Sequence, residues 1–183
     1  HLYNSAPDEL VASYNGKTET YGTEQTPEFA MTEYGVHHAY TRENYKSDIK
    51  AVIAKYHPKI LVTTDWDNHM DHLALSLMVD EVLGELLKEE KLWHPLVLKA
   101  HADYYHDKNV TELVNEADGT DHIHPMDKWE ERIRFAVPRQ CRTALIRKNV
   151  LYKAAKQYHS QSVDLKAIQF INLDMVYWRR PTE

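Results

Sequence analysis

The tightest constraint on the fold is the order of three segments between Lys59 and Leu98. Lys59-Ile60-Leu61-Val62-Thr63-Thr64 is a β-branched apolar run without strict alternation, which reads as a strand covered on both faces. Asp65-Trp66-Asp67-Asn68 is a polar break. From Met70 to about Glu90 apolar residues recur at helical spacing, with Leu75, Val79, Val82, Leu83 and Leu86 on the buried stripe and a solvated end at Lys88-Glu89-Glu90-Lys91. Leu92-Trp93-His94-Pro95 then leads to a second strand at Leu96-Val97-Leu98. Strand, helix and strand in this order make a βαβ unit, whose crossover is right-handed. The chain is α/β at its centre.

The flanks are read from the same rules. Residues 1–40 are rich in Tyr, Thr, Glu, Ser and Gly and show no period, so an irregular surface-wrapping segment is expected. Thr41 is the expected cap of a helix whose stripe is Tyr45, Ile49, Val52, Ile53 and Tyr56, and His57-Pro58 ends it because the residue before proline avoids helical geometry. The stretch from His101 to Asp127 is polar, with His101, His106, His122 and His124 among acidic residues. It reads either as a mobile loop over a site or as a second metal cluster. A helix is expected from about Arg139 to Tyr158, with Ile146, Val150, Leu151, Ala154 and Tyr158 on its apolar side. Short strands at Ile168-Gln169-Phe170 and Met175-Val176-Tyr177 close the chain. There is no repeat, low-complexity tract or linker, so residues 1–183 are expected to form one domain.

Composition narrows the partners. Apolar residues are 43% and charged residues 27% of the 183, which is ordinary for a globular protein with a sizeable core. A net charge of −6 gives no general attraction to phosphate backbones or anionic lipid, so neither nucleic acid nor membrane is expected as the main partner. No apolar run approaches a membrane span. The single cysteine, Cys141, cannot form an internal disulfide, which fits a reducing, cytoplasmic setting. Oligomeric state is open, and a homo-oligomer is compatible with everything above.

Chemistry gathers at the strand-to-helix junction, His69-Met70-Asp71-His72. His69 and His72 stand three residues apart, on one face of the first helical turn. Asp71 lies where the positive end of the helix dipole favours a carboxylate. An imidazole here can bind Zn²⁺ through one nitrogen while a carboxylate orients the other. A second imidazole can donate to charge developing on a carbonyl oxygen. Read on the residues alone, the pattern fits either a metal site or polar side chains capping a helix. His37-His38 are weaker candidates, since adjacent side chains point in different directions.

The run Tyr34-Gly35-Val36-His37-His38-Ala39-Tyr40-Thr41-Arg42-Glu43-Asn44, then Asp48, His57-Pro58-Lys59-Ile60-Leu61-Val62-Thr63-Thr64 and His69-Met70-Asp71-His72, resembles the central part of the PIG-L (LmbE-like) N-deacetylase family. That family carries His-Pro-Asp-His after a strand. Tyr158-His159-Ser160-Gln161 and Phe170-Ile171-Asn172-Leu173-Asp174-Met175-Val176-Tyr177-Trp178 look like its closing helix and strand, while His101–Asp127 has no counterpart.

The resemblance implies a Rossmann-like layered fold with a mainly parallel sheet, and zinc-dependent removal of an acetyl group from an N-acetylated amino sugar, such as an N-acetylglucosamine conjugate, or a related amide. By motif, His72 is the metal ligand, His69 stabilises the oxyanion, and Asp71 orients and polarises a histidine. Met70 replaces the family's proline, which a helix start tolerates. The family's opening His-Pro-Asp-Asp-Glu, source of two more zinc ligands and the general base, has no counterpart; Ala6-Pro7-Asp8-Glu9 lacks both the histidine and the preceding strand. The chain is therefore expected to be a carboxyl-terminal portion without the first βαβ, binding zinc weakly by itself. The alternative is a non-catalytic carbohydrate- or partner-binding domain that has lost the zinc site, with Tyr and Trp side chains stacking on sugar rings. A metal-free α/β hydrolase finds no support, because there is no Gly-x-Ser-x-Gly elbow, and the absence of a Gly-rich nucleotide loop argues against NAD.

Overall fold

The computed structural model describes residues 4–65, 70–90, 93–100, 132–143, 145–157 and 174–182. The chain divides into two compact units, one of His1–Leu61, Asn68–Leu96 and Thr182–Glu183, the other of Val62–Asp67 and Val97–Pro181. The boundaries cut through the first two strands of the sheet.

In the first unit, α1 is Phe29–Tyr34, and an antiparallel bridge joins Glu19, before it, to Ala39, after it. Glu28 starts the helix by accepting from the Ala30 and Met31 amides at 2.5 and 3.0 Å. Gly35 ends it at φ 72°, a left-handed conformation that glycine enters without steric cost. α2 (Arg42–Tyr56) begins where expected, with Thr41 Oγ1 accepting from the Asn44 amide at 3.1 Å. Its C-cap, His57, takes a left-handed φ of 41°, and its amide donates to Ile53 O at 2.9 Å.

α3 (Met70–Glu89) packs on α2. Its buried face comprises Ala74, Met78, Val79, Val82, Leu83 and Leu86, with Ile53 of α2 also buried. Leu75, expected on the buried stripe, is half-buried, and Ala74 and Met78 take the inner positions. Along one edge the two helices are laced by Arg42–Glu81 (2.5 Å), Lys46–Glu81 (2.6 Å), Lys46–Glu85 (2.5 Å) and Lys50–Glu89 (2.7 Å). Their far ends are tied through Trp93, whose indole donates to Pro58 O at 3.1 Å and whose ring lies 5.0 Å from that of His57.

The sheet contains β1 (Ile60–Thr64), β2 (Leu96–Ala100), β3 (Arg132–Ala136) and β4 (Asp174–Arg180) in the order β1-β2-β4-β3. β1 and β2 are parallel, bracketed by Leu96 N to Lys59 O at 2.9 Å and Asp65 N to Ala100 O at 2.7 Å, with α3 as the connection between them. β4 runs antiparallel to both β2 and β3. The fold is α/β, with a mixed sheet among the described strands rather than the mainly parallel one expected. β4 reverses direction, so only β1 and β2 keep the parallel pairing that a helical crossover permits.

β2 is one of the two inner strands. Val97, Leu98 and Lys99 are all buried, and Lys99 stands opposite Trp178, itself 1% exposed. β1 differs from expectation on one side, for Ile60 and Val62 are 59% and 55% exposed. Where one long helix is expected from about Arg139 to Tyr158, the described residues instead form two 3-10 turns (Arg139–Cys141 and Ile146–Lys148) and the short α4 (Val150–Ala155). Asn149 explains the break. Fully buried, it donates through Nδ2 to Cys141 O at 2.9 Å and Thr143 O at 3.2 Å and accepts through Oδ1 from the Tyr152 amide at 3.0 Å, which starts a new helix. The strand expected at 168–170 lies outside the described residues; that at 175–177 is part of β4.

Candidate functional site

α3 presents the junction residues. Asp71 is in its first turn and exposed; His72 is next along the chain and half-buried. A carboxylate at this position lies near the positive end of the helix dipole. Trp66, Asp67, Asn68 and His69 lie outside the described residues, so the His69–His72 pairing has no observed geometry. Tyr45, one turn into α2, completes what the first unit places here. Burial, reinforced by the Asp71 carboxylate, pushes its hydroxyl up to about 12. Asp71 therefore acts across the α2–α3 interface.

Asp65 ends β1 in the second unit. Its side chain is fully buried, and Thr64 Oγ1 donates to its carbonyl at 3.0 Å. A buried aspartate at the carboxyl end of a parallel strand is where α/β sheets commonly place functional groups.

His37 and His38 go separate ways, as their adjacency implied. His37 Nδ1 is 2.9 Å from Glu28 Oε1, and His38 Nδ1 is 2.8 Å from Asp48 Oδ1. The Tyr34 ring stacks on His38 at 5.0 Å and 13°. Burial raises Glu28, but hydrogen bonds from His37, Thr20 and two α1 amides outweigh it and hold the carboxyl below its ordinary value. Burial pushes Asp48 above its ordinary value despite His38. These two histidines hold the segment before α2 against α1 and α2. They converge on no common point.

Among the described residues no group of three or more His, Cys, Asp and Glu side chains is arranged to hold a metal ion. His72 and Asp71 suit zinc in kind, an imidazole and a carboxylate, but fall short of the three protein ligands of a catalytic site in number. His101, His106, His122 and His124 lie outside the described residues. Sequence reasoning placed Tyr45 on an apolar stripe and Asp65 in a polar break, and foresaw neither the raised pKa of the one nor the full burial of the other. The signals were a hydroxyl on that stripe and an acid closing a β-branched run.

No family model, curated protein or solved structure matches this chain. Among the described residues no helix is long and apolar enough to cross a membrane.

Proposed function

We propose that this chain carries part of the site of a zinc-dependent N-deacetylase, an amide hydrolase acting on an N-acetylated amino sugar or related acetamide. The observation that carries the reading is the placement of Asp71 and His72 in the opening turn of α3, the helix that follows β1. It is joined by the resemblance to the PIG-L family of patches, in order, between Tyr34 and Trp178, His101–Asp127 excepted.

His72 would hold the ion, together with ligands the described residues do not contain. Bound zinc supplies a water whose pKa falls to about 7. Asp71, at the positive end of α3, would hold a neighbouring imidazole in one tautomer and orientation. His69 would donate a hydrogen bond to the acetamide oxygen as charge develops on it.

The test is acetate release from an N-acetylglucosamine conjugate, with and without chelator and after zinc is restored. With one motif ligand and weak zinc binding, the reading expects only slight release from this chain, abolished by chelator, restored by zinc and removed by His72→Ala. Release indifferent to chelator or to His72→Ala overturns it. If no release occurs under any condition while the sugar still binds, the chain is a non-catalytic carbohydrate-binding domain.

A further inference from the structure

The acidic balance of the whole chain conceals a local reversal. Between Arg132 and Val163 there is no Asp or Glu, while Arg132, Arg134, Arg139, Arg142, Arg147, Lys148, Lys153 and Lys156 all carry positive charge. Six of these sit on the turn module 139–157 of the second unit, and all six, Arg139, Arg142, Arg147, Lys148, Lys153 and Lys156, are exposed. None of the first five forms an ion pair among the described residues, in contrast to the laced basic side chains of α2.

The module is a built scaffold. Buried Asn149 ties the first 3-10 turn to α4, and the Lys148 and Asn149 amides close the second turn on Leu145 O at 2.7 and 3.1 Å. Its exposed apolar side chains alternate with the charges along the chain: Leu145 is 62% and Val150 48% exposed. Cations interleaved with exposed aliphatic side chains match the boundary between anionic headgroups and acyl chains. A single-stranded nucleic-acid platform would instead present aromatic faces for stacking. The module's aromatic residue, Tyr152, is half-buried, with Lys156 Nζ 5.7 Å from its ring centre.

We propose that the module 139–157 is a docking surface for an anionic phospholipid bilayer, with Arg142, Arg147, Lys148 and Lys153 on headgroup phosphates and Leu145 and Val150 at the acyl boundary. Electrostatic attraction near such a surface falls off within a Debye length, so the local charge counts for more than the chain's net −6.

The experiment is co-sedimentation of the full 183-residue chain with vesicles of phosphatidylcholine alone and of phosphatidylcholine mixed with phosphatidylserine. Binding is expected to the mixed vesicles only, weakening with added salt, and glycerophosphoserine at the same headgroup concentration should not displace it. Arg147→Gln with Lys148→Gln should lower partitioning about 25-fold, roughly fivefold for each charge. Leu145→Ser should lower it severalfold at unchanged charge. If the first pair alters the circular dichroism spectrum, Arg142→Gln with Lys153→Gln replaces it. Equal sedimentation with neutral vesicles, no sedimentation at all, or indifference to both kinds of variant overturns the proposal. Binding to a duplex oligonucleotide that ignores Leu145→Ser, without vesicle binding, transfers the surface to nucleic acid.

Discussion

The Asp71 carboxylate, in the first turn of α3, acts on the Tyr45 hydroxyl of α2, which burial has already made reluctant to ionise; the two effects bring it to about 12. Asp71→Asn removes the smaller effect and should lower the Tyr45 pKa while leaving it above the ordinary 10.0. Ultraviolet titration of tyrosinate, with Tyr45→Phe to assign the transition, reads this. The sign for stability follows. A tyrosine whose folded pKa is raised contributes stability below its unfolded value and loses it as pH rises toward the folded one. Denaturant midpoints should therefore fall between about pH 10 and 12, and less so in Tyr45→Phe.

The α2–α3 lacing makes the opposite prediction at acid pH. Hydrogen bonding from Lys46 holds both Glu81 and Glu85 below their ordinary 4.5. Depressed carboxylates contribute stability above the unfolded pKa and lose it as pH falls through the folded one. Lys46→Ala should cost about 1 kcal/mol or less at neutral pH, since the pairs are partly solvated. The difference from the unaltered chain, followed by urea midpoint, should shrink as pH falls below 4.5 and also in high salt.

Asn149→Ala should be among the costliest single changes in the second unit. It deletes a helix cap and leaves the Cys141 and Thr143 carbonyls without their shared donor. The expected loss is about 2–3 kcal/mol, from a cap of about 1 and buried acceptors of about 1–3 together. Hydrogen exchange should localise the opening to residues 139–155, whereas an exposed control, Lys153→Ala, should leave it unchanged.

Gly22→Ala probes the entry to α1. A Cβ at Gly22 would meet Glu28 N and Thr26 O, both at 2.7 Å, and these are backbone atoms that cannot swing aside. Substitution should displace Glu28 and with it the α1 cap, lowering the thermal midpoint. Gly16→Ala, where nothing lies within 4 Å but φ is +78°, should show the cost of backbone conformation alone.

What could be read from the residues, and what could not, follows a physical line. α2 and α3 were legible because Thr41, Pro58 and a long apolar stripe are strong, local signals. α1 was not, because its cap is a glutamate rather than one of the usual short side chains. β3 escaped because Arg132-Ile133-Arg134-Phe135-Ala136 is a short run at the end of the strand order, held by its register with β4 and not by its own composition. The break at 139–155 depends on one buried amide, and periodicity carries no trace of it. At the candidate site, the placement of Asp71 and His72 at the start of α3 was legible from position alone; the effect of Asp71 on Tyr45 came only from the packing of α2 on α3.

The most direct test of the metal-site reading is calorimetric titration of zinc into this chain and into His72→Ala. The account predicts weak binding that His72→Ala abolishes. Tight stoichiometric binding by the unaltered chain, or unchanged binding by His72→Ala, would contradict it.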